Sequence, residues 1–377
     1  MIKVAHIIRS YLTQSETFIW QYLHSFKNII PIVLTRNIEN GAQFPLPNGR
    51  IKLIYGSRAS LPWFIDIWYR RILRHPFGYI EKVVRNENIR LIHAHFGPMG
   101  CNYLPLSLTS GIPLVTNFYG RDLYVKDFLN EHQESYLQLF EKGDHFLVEG
   151  PYMRKTLVSL GCSEHKISIQ RIAIDLKNYR YQERSWNKQR PFRLLFVGRF
   201  VEKKGLEYAL RALAHLKKDY PFEFRIIGDG LLEEKLRSLA SALGFTKEII
   251  WLGLQPHAKV IQELDNSDIL IQPSVTAKNG DSEGGAPTII LEAQACGIPL
   301  ISTNHADIPY VTCADESALL SQERDVDGLT KNICQLLDNS GRWPIMARKG
   351  RNHVEQFHDV SNEVRHLENT YKKFLPY

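Results

Sequence analysis

Cysteine, methionine and long apolar runs are all scarce in this chain. Its 377 residues include five cysteines, Cys101, Cys162, Cys296, Cys313 and Cys334, with neither an even framework nor metal-ligand spacing. That excludes a disulfide scaffold and points to a reducing compartment. No window is apolar over the length that a membrane-spanning helix needs. The opening MIKVAHIIRSYL meets polar residues by Arg9, so no signal peptide is expected. There is no short-period repeat and no low-complexity tract. With 44% hydrophobic and 23% charged residues the composition is globular, which excludes disorder of the whole chain.

What is present begins with length and charge. The chain exceeds the roughly 250 to 300 residues at which one core stops growing, so two domains are expected. A formal charge of +7 favours anionic partners: nucleotides, phosphates, nucleic acid or an acidic membrane face. The segment Leu61 to Arg74 mixes Trp63, Phe64, Trp68 and Tyr69 with Arg70, Arg71 and Arg74. Such a helix either lies at an anionic bilayer interface or packs on its own domain behind a solvated basic rim.

Short apolar runs alternate with helical patterns. Strands are expected at Ile2–Ile8, Ile30–Leu34, Ile51–Tyr55, Leu91–Ala94, Pro113–Thr116 and Phe146–Val148, with Ser15 able to cap the helix after the first. The polar stretch Tyr179 to Pro191 reads as a linker. Beyond it strands are expected at Arg193–Val197, Glu223–Ile227, Ile249–Leu252, Ile269–Gln272 and Leu300–Ser302. This is an α/β pattern of two units, each with a parallel sheet, whose strand ends would border a cleft.

Five loops hold chemistry. DSEGGAPTIILEAQACGIPL, from Asp281 to Leu300, is an acidic glycine-rich turn leading into a helix with Glu292; Gly284 and Gly285 let backbone approach a ligand. In Val197–Gly205, Gly198, Arg199 and Lys204 follow a strand and precede a helix, fitting either phosphate binding or a solvated loop. Asp229, between two glycines in IIGDG, fits a structural turn better than a dinucleotide fingerprint. His93 and His95 in HAHFG face one side of a strand end, without a Cys or acidic partner at metal-ligand spacing. His95 is the better candidate for contact with substrate, while His93 is equally read as a structural histidine. In NFYGRD, Tyr119, Arg121 and Asp122 lie just past a strand, where Arg121 and Asp122 fit either binding of sugar hydroxyls or pyrophosphate or pairing with each other.

Together these motifs resemble the retaining glycosyltransferases of family 4, with the GT-B fold, and especially the bacterial branch that builds exopolysaccharide, capsule or O-antigen units. The resemblance runs through TQSETFI at Thr13–Ile19, HAHFG at His93–Gly97, FYGRD at Phe118–Asp122, VGRFVEKKG at Val197–Gly205, IIGDG at Ile226–Gly230, EGGAPTIILEAQACGIPLIST at Glu283–Thr303 and HADIP at His305–Pro309. It implies two Rossmann-like domains facing each other across a deep cleft. An acceptor-binding domain would span 1–180, with the helix at about 360–377 packing back on it, and a nucleotide-sugar domain 190–358.

By that resemblance Glu292 holds the ribose hydroxyls of a UDP- or GDP-linked sugar, and Arg199 and Lys204 neutralise the diphosphate. Glu283, with the amides of Gly284, Gly285 and Ala286, meets the donor sugar. Gly198, Asp229 and Tyr119 complete the donor side, His95 joins the catalytic group, and Ser15, Glu16, Arg121 and Asp122 take a saccharide acceptor, lipid-linked through a polyprenyl diphosphate. Transfer would proceed with retention, without metal or other cofactor, in the cytoplasm or at the inner membrane face. Two departures stand out: eight residues rather than seven separate Glu283 from Glu292, and Tyr119 replaces a histidine common in relatives. Alternatives are another GT-B enzyme, such as a nucleotide-sugar epimerase or phosphorylase, or a nucleic-acid-binding protein. The scattered basic residues and the lack of a recognised nucleic-acid motif argue against the last.

Overall fold

The computed structural model describes residues 1–12, 16–47, 49–54, 61–72, 78–186, 189–216 and 219–375. The chain divides into two compact units, one made of 1–123, 127–173 and 360–377, the other of 124–126 and 174–359. The division falls at 173/174, a few residues before the polar stretch read as a linker.

The first unit holds seven strands: β1 (Ile2–Tyr11), β2 (Ile29–Ile38), β3 (Ile51–Leu53), β4 (Ile89–His95), β5 (Leu114–Asn117), β6 (His145–Val148) and β7 (Ile167–Ile169). They pair in parallel in the order β3-β2-β1-β4-β5-β6-β7. Six of β4's seven residues are buried, as a strand covered on both faces requires. The order reverses between β1 and β4, so the loops leaving those two strands diverge and open a crevice at their carboxyl ends. Helix Val360–Lys372 belongs to this unit and packs Val360, Val364, Leu367 and Tyr371 against Val4, Leu91 and Val115. Glu368 holds it in place by accepting from the backbone N–H groups of Lys27 and Asn28, at 3.0 and 2.8 Å.

The second unit repeats the plan with β8 (Phe192–Val197), β9 (Phe222–Ile227), β10 (Ile249–Gly253), β11 (Ile269–Gln272), β12 (Leu300–Thr303) and β13 (Ala318–Ser321), ordered β10-β9-β8-β11-β12-β13. Its core centres on Phe192, Phe196, Phe224, Ile271 and a fully buried Trp343, whose indole N–H donates to Leu336 O at 2.8 Å. Helix Thr288–Ala295 is buried from Ile289 to Ala295, which explains its nearly continuous apolar sequence. Here the order reverses between β8 and β11. The strands β7 and β13 were not foreseen; at three and four residues they offer too little pattern to read.

Helix Leu61–Arg71 exposes a row of large apolar side chains. Leu61, Phe64 and Trp68, with Ile72 just beyond, recur at three- and four-residue spacing and are 73%, 55%, 48% and 64% exposed. That spacing places them on one stripe.

Candidate functional site

In the second unit the two loops at the strand reversal carry the charges. The loop after β8 runs Gly198 to Gly205, with Arg199 exposed. It is folded tightly because the IIGDG turn lies against it: Gly228 has φ +141°, and a Cβ there would sit 1.9 Å from Gly198 O. Phe200 N–H donates to Asp229 O. The two glycines thus permit a backbone approach that no side chain would allow, while the Asp229 side chain points to the exposed side of the turn. Gly205, at φ +67°, passes close enough to Pro273 O that a Cβ would meet it at 1.8 Å, which locks the β8 loop to the end of β11.

Lys204 Nζ lies 2.8 Å from Glu283 Oε2, and Ser274 Oγ donates to Glu283 Oε1 at 2.8 Å. Burial alone would raise the Glu283 carboxyl. The charges of Lys204 and Lys203 and its hydrogen bonds outweigh that and hold it below the usual range. Lys203, absent from the sequence reading, is buried and bonds Asp281 Oδ1 and Ser282 O, both at 2.9 Å. Two adjacent lysines therefore tie down the acidic front of the 281–285 turn. Gly284 takes φ +80° there, a left-handed conformation that suits glycine.

A second support sits beneath the same turn. His305 Nε2 lies 3.1 Å from Glu283 N and 3.1 Å from Ser282 Oγ, while Nδ1 is 2.6 Å from Glu323 Oε1. A backbone N–H can only donate, so Nε2 accepts and Nδ1 carries the hydrogen given to Glu323. Ser282 and His305 are each 1% exposed, so this row fixes the turn rather than presenting a nucleophile. The HADIP motif contained His305, but only its contact gives it a role. Gly285 O accepts from Asp307 N–H at 3.2 Å, pinning the far side.

Glu292 is held separately. Its Oε1 accepts from Tyr179 OH at 3.0 Å and lies 3.1 Å from His257 Nε2. The Glu292 bond raises the His257 pKa against the opposing effect of burial. Neither Tyr179 nor His257 belongs to a motif; they lie 113 and 35 residues from Glu292, and no spacing rule connects them.

The first unit corrects several expectations. Asp122 does not face an acceptor. It is buried, its Oδ2 accepts from Gly97 N–H at 2.7 Å and its Oδ1 from Tyr119 N–H at 2.8 Å, so it clamps the HAHFG and FYGRD loops together. Burial pushes its carboxyl up to about 7 against the three backbone hydrogen bonds. Arg121 is exposed and not paired with it at ion-pair distance. His95 is interior, not at the loop surface: it is 3% exposed, with Nδ1 2.9 Å from Tyr119 OH and Nε2 3.1 Å from His6 Nδ1. Tyr119 thus places its hydroxyl against His95. Phe96 between these loops has φ +74°, an uncommon backbone for a bulky residue that the clamp sustains. Glu16 caps helix Thr17–Ser25 through its carbonyl, 3.0 Å from Ile19 N. Ser15, expected as a cap and acceptor ligand, lies outside the described residues.

A third histidine joins the pair read from the sequence. His6, on β1, sits opposite His93 on β4 in the parallel register, which brings together residues that no metal spacing would connect.

Comparison with known proteins agrees with this architecture. Residues 31–178 match the family described as Glycosyltransferase Family 4, and residues 180–353 that described as Glycosyl transferases group 1. WcaL of Escherichia coli K12, named as a colanic acid biosynthesis glycosyltransferase, is 34% identical over 72% of this chain and 67% of its own length. AmsK of Erwinia amylovora, named as an amylovoran biosynthesis glycosyltransferase, is 35% identical over 59% of this chain. The matched region spans about two thirds of WcaL and 54% of AmsK. The structure of Anabaena HepE in complex with UDP-glucose superposes with a TM-score of 0.79 at 15% identity, covering 99% of this chain and 100% of that one. By its two matched segments, its likeness to WcaL and its fold, the chain belongs to family 4 of the glycosyltransferases and has the GT-B fold.

Proposed function

We propose that the chain transfers a hexosyl sugar from a UDP- or GDP-linked donor to a saccharide acceptor, with retention of anomeric configuration, in bacterial surface polysaccharide synthesis. The observation that carries this reading is the strand-reversal site of the second unit, where Lys204 pairs with Glu283 between the loops leaving β8 and β11, with Arg199 on the first of these loops and Glu292 on the following helix. Fixed cations there stabilise a departing nucleoside diphosphate, where negative charge develops. Glu292, anchored by Tyr179 and His257, is disposed to accept hydrogen bonds from ribose hydroxyls. Glu283 and the amides of Gly284, Gly285 and Ala286 receive the sugar. Gly198 gives the diphosphate backbone clearance, and the donor phosphate oxygen takes the acceptor proton through a short-lived oxocarbenium-like ion pair. The assignment needs no metal for transfer.

The names of WcaL and AmsK, concerned with colanic acid and amylovoran, support exopolysaccharide as the product class. The UDP-glucose bound in the HepE structure supports a nucleotide-sugar donor. Glu16 and Arg121 are assigned to a polyprenyl-diphosphate-linked acceptor in the first unit. The exposed stripe of Leu61, Phe64 and Trp68 with neighbouring Arg71 is assigned to the inner face of the cell membrane, as a peripheral contact.

The test is a screen of UDP- and GDP-sugars for binding and slow hydrolysis, followed by transfer with the best donor and assignment of the product anomer by NMR. Glu292→Gln is expected to weaken donor binding at least tenfold while leaving the thermal transition in place. Undiminished binding by this variant, or an inverted product, would overturn the assignment.

A further inference from the structure

We infer that the first unit contains a binding site for one divalent transition-metal ion, built by His6, His93 and His95 at the reversal between β1 and β4. One ring nitrogen from each of these buried histidines lies within 4.8 Å of the other two. His6 Nδ1 and His95 Nε2 stand 3.1 Å apart. Two imidazole nitrogens sharing a tetrahedral ion at about 2.0–2.1 Å stand about 3.4 Å apart, so this pair already has nearly the required spacing.

Three further observations point to a ligand. First, His93 Nε2 is buried without a hydrogen-bond partner, a condition that a buried polar atom seldom tolerates. Second, the other ring nitrogens of His93 and His95 are held as metal-bound histidines require: His93 Nδ1 by Tyr371 OH at 2.5 Å, and His95 Nδ1 by Tyr119 OH at 2.9 Å. Third, all three rings line a cavity of about 20 Å³, also bordered by Tyr22, Glu149 and Gln170. That is room for one water or one ion.

Protonation does not compete strongly. Burial, and then the neighbouring rings, push His6 and His95 well below the ordinary histidine range, and burial pushes His93 down to about 3. The rings are therefore neutral, the state that binds metal. Three imidazoles and no thiolate favour Zn²⁺, Co²⁺ or Ni²⁺ over Mg²⁺ or Ca²⁺, with a cavity water in the fourth position. The site lies inside the first unit, apart from the residues assigned to the donor, and its role is to tie β1 to β4 and to the helix that carries Tyr371.

The test uses the full chain, stripped with a chelator and titrated with Zn²⁺ by calorimetry and with Co²⁺ by visible absorption. One equivalent per chain is expected, with the d–d bands of four-coordinate Co²⁺ and a raised melting temperature with Zn²⁺. His6→Gln and His93→Gln should weaken binding by far more than tenfold. Tyr371→Phe, which removes only the hydroxyl against His93, should weaken it about tenfold. Failure of the wild-type chain to take up stoichiometric Zn²⁺ overturns the inference whether or not the glutamine variants fold. So does binding in either histidine variant as tight as wild type, which would locate the ion elsewhere.

Discussion

Replacing Asp122 by asparagine should produce a stability difference that changes with pH and reverses sign. Both carboxyl oxygens of Asp122 accept backbone N–H groups, so the amide of asparagine turns a donor toward one of them. Losing one buried hydrogen bond and opposing two donors costs about 1–3 kcal/mol. That is the expected deficit at acidic pH, where wild-type Asp122 is protonated in both states. The folded carboxyl is raised from 3.8 to about 7, chiefly by burial. The folded state then binds more protons than the unfolded chain across that interval, so wild-type stability is fully present below about pH 4 and falls as pH rises through 7. A shift of about 3 units corresponds to about 4 kcal/mol. Asparagine cannot ionise and escapes this loss. The deficit should shrink above pH 4 by about 1.4 kcal/mol per pH unit, so the variant should overtake wild type between about pH 4.5 and 6. Glu363, raised to about 7 by burial, titrates in the same window but is common to both proteins and cancels in the difference. Urea unfolding of both proteins at pH 5, 6, 7 and 8, with matched ionic strength, measures the difference directly. A constant difference, or one that grows in favour of wild type with rising pH, would refute the reasoning and show that the carboxylate is the form the clamp holds.

Lys204→Met should destabilise the protein by about 3–5 kcal/mol, because it leaves the buried Glu283 carboxylate without its nearest cation; adding Glu283→Gln should restore much of that in denaturant unfolding, though not donor binding. His257 has a raised pKa through Glu292, so its stabilising contribution is full below the unfolded value near 6.5 and is lost as pH rises through the folded value. His257→Gln should flatten that segment of the pH–stability curve and weaken nucleotide affinity, read by calorimetry. Sedimentation with anionic vesicles should carry the wild-type chain down and spare a variant with Arg70, Arg71 and Arg74 neutralised; no sedimentation of the wild type would remove the membrane assignment.

The alternation of apolar runs made the two parallel sheets legible, and glycine-rich turns marked the loops that hold charge. What the sequence could not show was direction and partnership. His95 and Tyr119 read as substrate contacts because they end strands near glycines, yet both turn inward and satisfy each other. Asp122 looked like a sugar ligand because acidic residues after a glycine often are, and it instead ties two loops together. His257, Tyr179 and Glu323 gain their roles from contacts across tens of residues, for which a single sequence carries no periodic signal. His6 is the clearest case: on an apolar strand it reads as one polar interruption, and only the register of β1 against β4 places it beside His93.

The last helix has a consequence for how the chain is made. Helix Val360–Lys372 supplies Val364, Leu367 and Tyr371 to the core of the first unit, and Glu368 to its backbone at Lys27 and Asn28. On the ribosome those residues emerge only after the whole of 174–359. The first-synthesised sheet must therefore wait, with one face uncovered, while the second unit is completed behind it. An expression fragment ending at 173 would keep that face bare and aggregate, whereas co-expression of the 360–375 segment as a separate peptide should solubilise it.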